Sequence, residues 1–176
     1  MPLSVGARAP SYRLRGLDNA YWILGEPDER RSVLLTFFGR DASASRILLP
    51  FVERIYRCAH ERATEVIGIS IDSHRDTLEF ATDYTFTFPI LIDAPDLEAV
   101  RGWGIERHPA LYLLDRNLTA IDCLEGWERE GFERVARRHL EEAGAFRKSV
   151  WEDHDNPPDS VPSEPIRTLR PVRGLP

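Results

Sequence analysis

The stretch VLLTFFGRDASASRILLP, from Val33 to Pro50, decides how the rest of the chain is read. From Val33 to Phe38 it is a near-continuous apolar run, the pattern of a strand buried on both faces. Gly39, Arg40 and Asp41 then make a short polar turn, and a helix begins near Ser43. A helix start leaves several backbone amides without intrahelical partners. In a strand-turn-helix unit of this kind, the chemistry sits on the turn.

Composition sets outer bounds. A chain of 176 residues with 42% hydrophobic and 30% charged residues is long enough for one domain with a sizeable core, plus an appendage. The net charge of −6 offers no basic footprint for nucleic acid. No apolar run approaches the roughly 18 residues of a membrane-spanning helix, so the partners implied are proteins or small molecules. The N-terminus, MPLSVGARAP, lacks a charged segment followed by an apolar one, so no secretory signal is visible and a cytoplasmic location is expected. Two cysteines, Cys58 and Cys123, are too few for a disulfide framework and agree with a reducing compartment. His60, His74, His139 and His154 show no metal-ligand spacing and read as surface residues, and no metal or cofactor is expected.

Working outward, Tyr12 and Leu14, then Tyr21 and Ile23, alternate around the turn formers Gly16, Asp18 and Asn19, which predicts an N-terminal β-hairpin. After the turn, Ile47, Leu48, Phe51, Val52, Ile55, Tyr56 and Ala59 recur at helical spacing, so one amphipathic helix is expected over residues 43–60, kinked at Pro50. EVIGISID is a second buried strand and HRDTLEFATDY a helix with Leu78, Phe80, Ala81 and Tyr84 apolar. FPILID gives a short strand and DLEAVRGW a short helix. PALYLLDRNLTAIDCLEG reads as a hairpin turning at Arg116 to Leu118, and residues 128–143 as a last helix ended by Gly144. Strands alternating with helices imply parallel pairing with right-handed crossovers, hence an α/β fold with a mixed sheet. From Ala145 onward the chain is proline-rich and aperiodic, an extended tail over residues 145–176 that cannot fold on its own. Trp151, Ile166 and Leu169 are its candidate contacts, with the domain or with a second subunit.

This order of elements over residues 5–143 resembles the thioredoxin-like fold of the AhpC/TSA group, which includes TlpA-like and peroxiredoxin-like proteins. In that group a Cys-x-x-Cys motif opens the helix after the first core strand, and a basic residue and a proline follow. Here Ala42 and Ser45 take the places of the two cysteines, while Arg46 and Pro50 match. A second alignment, to peroxiredoxins with Thr-x-x-Cys at this turn, puts Ser43 at the threonine and Arg46 at the cysteine. Both leave the nucleophile missing. The resemblance also implies that the His108-Pro109 bond is cis and faces the motif, where the backbone before the proline receives an extended substrate chain.

Serine has no place on the cysteine oxidation ladder, so Ser43 and Ser45 cannot replace a thiolate, and Ser43 is expected to cap the helix. The expected groove residues are Arg40, Asp41, Ser43, Arg46, His108 and Pro109. Three functions follow from these readings. The resemblance with its missing cysteines implies a redox-inactive, protein-binding, chaperone-like or accessory subunit, associating with a partner or with itself. The alternatives are a thiol oxidoreductase or peroxidase working through Cys58 or Cys123, and an anion or small-molecule binder at Arg40, Ser43, Ser45 and Arg46.

Overall fold

The computed structural model describes residues 2–24, 32–59, 64–145 and 149–167. In chain order the elements are β1 (Tyr12–Gly16), β2 (Tyr21–Leu24), β3 (Ser32–Phe38), α1 (Ser43–Ala59), β4 (Thr64–Ser70), α2 (His74–Asp83), β5 (Ile90–Ile92) and α3 (Glu98–Gly102). These are followed by β6 (Arg107–His108), β7 (Ala110–Asp115), β8 (Ala120–Glu125), β9 (Trp127–Glu128), α4 (Arg129–Glu142), β10 (Ser160–Val161) and β11 (Glu164–Pro165). A seven-stranded sheet runs β2-β1-β5-β4-β3-β7-β8, with β3 parallel to β4 and antiparallel to β7. The fold is the thioredoxin-like α/β arrangement, a central mixed sheet flanked by helices.

Pleating splits the sheet's side chains between two cores, because successive residues of a strand point to opposite faces. Leu34 and Phe38 of β3, with Leu111 and Leu113 of β7, pack under the apolar stripes of α1 and α4. Leu35 and Phe37, with Tyr112 and Leu114, face the other way, against Val100 and Trp103 in and after α3. Pro50 lies inside α1, and the helix runs continuously past it. Gly144, at φ 67°, follows α4 and lets the chain leave the helix in the left-handed region.

Three sequence readings need correction. In the N-terminal hairpin Leu24 is buried, while Tyr21 and Ile23 are exposed at 64% and 55%. The register pairs Tyr12 with Leu24 and Leu14 with Trp22, so the second strand turns its other face inward. On α2, Leu78 and Tyr84 lie on the exposed side, and Thr77 is buried in their stead, its hydroxyl 2.7 Å from that of Ser70. His139 is fully buried, because it continues the stripe of Phe132, Val135 and Ala136 on α4, and its Nδ1 lies 3.1 Å from the Ser32 hydroxyl. His60 and Leu169 lie outside the described residues.

The described part of the tail, residues 149–167, packs on its own domain at three stations. Val150 is buried in the core that α1 and α4 cover, and Trp151 meets Phe51 edge-on at 5.0 Å between ring centroids, with Phe132 at 6.0 Å. The Arg54 guanidinium donates to the Val150 carbonyl at 2.7 Å and pairs with Asp155, whose carboxyl it holds below the usual carboxylate range. Further on, β10 pairs antiparallel with β9, and the Trp127 indole donates to the Pro158 carbonyl at 2.7 Å. Finally, β11 pairs antiparallel with β6.

Two outcomes test this packing. Burial pushes His139 down from 6.5 to about 4. The fold therefore holds the neutral ring, and its contribution is complete above the unfolded value and lost as pH falls from 6.5 toward about 4. Urea midpoints measured across that range should fall more steeply for the wild type than for His139→Leu, by at most about 3 kcal/mol in total. Replacing Trp151 with alanine should lower stability by about 2 kcal/mol in the same assay, because the half-buried indole leaves a gap among Phe51, Trp127 and Phe132.

Candidate functional site

The turn between β3 and α1 is built mainly by backbone contacts. The Phe38 carbonyl accepts from the Ile71 amide at 3.0 Å, and the Arg40 amide donates to the Asp72 carboxylate at 2.7 Å. Burial pushes the Asp72 carboxyl up, the Arg40 amide opposes that shift, and the charges of Asp41 and Asp76 add to it. Gly39 has to be small here, since a Cβ would come 2.8 Å from His108 Cε1 and 3.1 Å from Nδ1. The imidazole therefore lies directly against the turn.

Ser43 is the first residue of α1, and the expectation that it caps the helix is corrected. The Ala42 carbonyl accepts from the Ser45 and Arg46 amides at 3.1 and 3.4 Å, which makes Ala42 the boundary residue, and alanine has no side-chain acceptor to offer. The Ser43 amide instead donates to Glu164 Oε1 at 3.1 Å, so a carboxylate from the tail serves the start of the helix. Ala42 and Ser45 are both fully buried, and the Ser45 hydroxyl makes no hydrogen bond among the described residues.

The two arginines of the turn are engaged by the protein itself. Arg40 Nη1 meets Asp76 at 3.1 Å and Glu79 at 3.4 Å, its Nε lies 3.9 Å from the exposed Asp41, and Arg46 Nε donates to the Arg40 carbonyl at 3.1 Å. The His108-Pro109 bond is cis. The Pro109 carbonyl accepts from the Gly126 amide at 2.8 Å. His108 is buried, its Nδ1 makes no hydrogen bond among the described residues, and burial holds its pKa below the usual value, against the opposing charges of Glu164 and Asp41. Among the described residues, no group of three or more His, Cys, Asp or Glu could hold a metal ion.

Cys58 and Cys123 are both free thiols and belong to opposite faces of the sheet, Cys58 against the core under α1 and Cys123 against the core under α3. Burial pushes the Cys123 thiol up, and the Asp122 carboxylate adds to that, which is the reverse of activation. The sequence reading brought together the turn and the His108-Pro109 pair, and it missed Asp72, Arg107, Glu125 and Glu164. No local pattern distinguishes Glu164 from the other acidic residues of the tail. Its partner amide lies 121 positions away, and only the tertiary fold joins them.

Residues 5–121 match the AhpC/TSA family. The chain belongs to that family. Among solved structures, it is similar to a candidate thiol:disulfide interchange protein, DsbE, from Chlorobium tepidum at 21% identity and a TM-score of 0.72, covering 81% of this chain and 99% of that one. A candidate protein disulfide isomerase from Bacteroides thetaiotaomicron is similar at 20% identity and a TM-score of 0.73, covering 81% of this chain and 91% of that one. The peroxidoxin BcpB from Mycobacterium tuberculosis shares 17% identity at a TM-score of 0.66, covering 83% of this chain and 99% of that one. Among curated proteins none matches. At these identities the likeness to solved structures establishes the fold of this AhpC/TSA-family chain, and its chemistry has to be argued from its own residues. No helix among the described residues is long and apolar enough to cross a membrane.

The burial of His108 makes a direct prediction. Its ring should titrate below 6.5 in a histidine NMR titration, and Glu164→Gln should lower the value further, because the carboxylate that favours the charged ring is then gone. A His108 ring that titrates at or above 6.5, or that does not respond to Glu164→Gln, would contradict this geometry.

Proposed function

We propose that this AhpC/TSA-family chain is a thiol-silent, protein-binding accessory subunit. The observation that carries the reading is the hydrogen bond from the Ser43 amide to Glu164 at the helix start. A thiol-disulfide enzyme uses such amides, with the helix dipole, to lower the pKa of a cysteine placed there. In this chain the two positions hold Ala42 and Ser45, and a carboxylate takes the amide. The strand-turn-helix frame and the strand leading to Pro109 remain, which supports retention of a surface that receives an extended chain. Cys58 and Cys123 support no redox pair, being separated by the sheet, and their free state is compatible with a reducing, cytoplasmic setting.

Purified protein should neither reduce insulin in the presence of dithiothreitol nor consume hydrogen peroxide above background. The double variant Ala42→Cys with Ser45→Cys should form a disulfide reversibly and gain measurable insulin reduction, since both thiols then stand at the N-terminal turn of α1. Turnover by the wild type that disappears on Cys58→Ser or Cys123→Ser would overturn the proposal in favour of an oxidoreductase.

A further inference from the structure

The tail's third station does more than cover surface. Glu164 pairs with His108 and Pro165 with Arg107 in antiparallel register, and the Ile166 amide donates to the Glu106 carbonyl at 2.9 Å. Ser163, Glu164 and Ile166 also make contacts through their side chains. Ser163 is buried, its hydroxyl donates to Glu125 Oε1 at 2.7 Å and accepts from Arg107 Nε at 2.8 Å, and its carbonyl accepts from the Arg107 guanidinium. Glu164 reaches the Ser43 amide, and Ile166 packs on the core face that holds Cys123. Proline at 165 lacks an amide hydrogen, which a two-residue edge strand tolerates.

The floor of the groove is shaped for this close approach. Gly126 sits at φ 77°, and a Cβ there would come 2.7 Å from the Ser163 amide nitrogen and 3.0 Å from the Val161 carbonyl. Beside the pairing strand, the buried His108 Nδ1 is left without a partner among the described residues, a polar atom that this occupant does not use. Backbone pairing at an exposed strand, with pockets for particular side chains, is the physics of recognition by strand addition.

We infer that the groove between the Arg40–Ser43 turn and the Arg107–Pro109 strand is a recognition site for an extended peptide of the pattern Ser-Glu-Pro-apolar, occupied at rest by the chain's own residues 163–166. The inference rests on the protein-binding reading and names the chemistry of the partner. The glutamate favours this register, because there its side chain accepts from the Ser43 amide at the N-terminal end of α1. The resting occupant is displaceable. Its last two stations are strands of two residues each, while Val150 and Trp151 anchor the preceding segment in the core. The anchor keeps the ligand tethered at high local concentration, so a free partner competes against an intramolecular one and binds the resting protein weakly.

The test uses the full-length protein and a fluorescent synthetic peptide with the sequence of residues 158–167, PDSVPSEPIR. By anisotropy the peptide should bind a full-length Glu164→Lys variant at least about tenfold more tightly than the wild type, because the variant's own tail can no longer seat its carboxylate. A peptide with alanine in place of its glutamate should bind that variant about tenfold more weakly, since it offers the Ser43 amide no acceptor. In the wild type, excess peptide should shift the backbone amide resonances of Ser43, Arg107 and His108, which decides the matter even if Glu164→Lys folds poorly. Absence of binding to both forms, equal binding of the glutamate and alanine peptides, or amide shifts confined to other surfaces would overturn the inference. None of these results depends on insulin or peroxide turnover, so the redox-silent reading stands or falls separately.

Discussion

The structure depends on β3 having a strand partner on both sides and a core on both faces. β4 pairs with it in parallel from Ser32 to Phe38 and β7 pairs antiparallel, so its backbone polar groups have partners in a region that water does not reach. Its side chains then require cover above and below, which α1 and α4 supply on one face and the segment from α3 to Trp103 on the other. With the strand fixed in this way, its carboxyl end delivers Gly39 to a set position beside the loop after β4 and the strand before Pro109. Open α/β sheets place their sites outside the carboxyl ends of strands for this reason.

At that position a helix starts with amides to satisfy and no capping side chain at its boundary. Alanine at 42 cannot accept a hydrogen bond, and the Ser45 hydroxyl faces the buried side of the helix. The acceptor comes instead from the far end of the chain. Glu164 can reach the Ser43 amide because β11 is held against β6, and β11 is led there by a tail fixed first at Trp151 and then at Ser160–Val161. The turn before α1 and the tail thus meet in one contact. The start of α1 meets a side chain from the tail there.

The other buried charges serve the frame. Glu53 accepts from the Thr87 amide and hydroxyl at 2.7 and 2.6 Å and from the Phe88 amide at 3.2 Å, tying α1 to the approach of β5. Asp93 accepts from the Ala99 and Val100 amides at 3.0 and 2.8 Å and so holds the first turn of α3. Each carboxylate satisfies two or more backbone amides that would otherwise be buried without partners, a loss of about 1 to 3 kcal/mol apiece. These groups hold the scaffold in place.

The sequence by itself determined the sheet and its helices. The apolar run from Val33 to Phe38, the stripe from Ile47 to Ala59 and the turn formers near Arg116 and Gly144 are local patterns whose periods of two and 3.6 report burial directly. It determined as well that positions 42 and 45 carry no thiol and that His108 precedes a proline. It could not determine which face of the second hairpin strand turns inward, because Trp22 and Leu24 are as apolar as Tyr21 and Ile23 and only the pairing with β1 chooses between them. Residue type alone misplaces His139, whose burial follows from its position on the apolar stripe of α4. Only the tertiary structure decided what fills the groove. The Glu164 contact joins segments 121 positions apart, and a tail without periodicity carries no signal of where it docks until a surface exists to receive it.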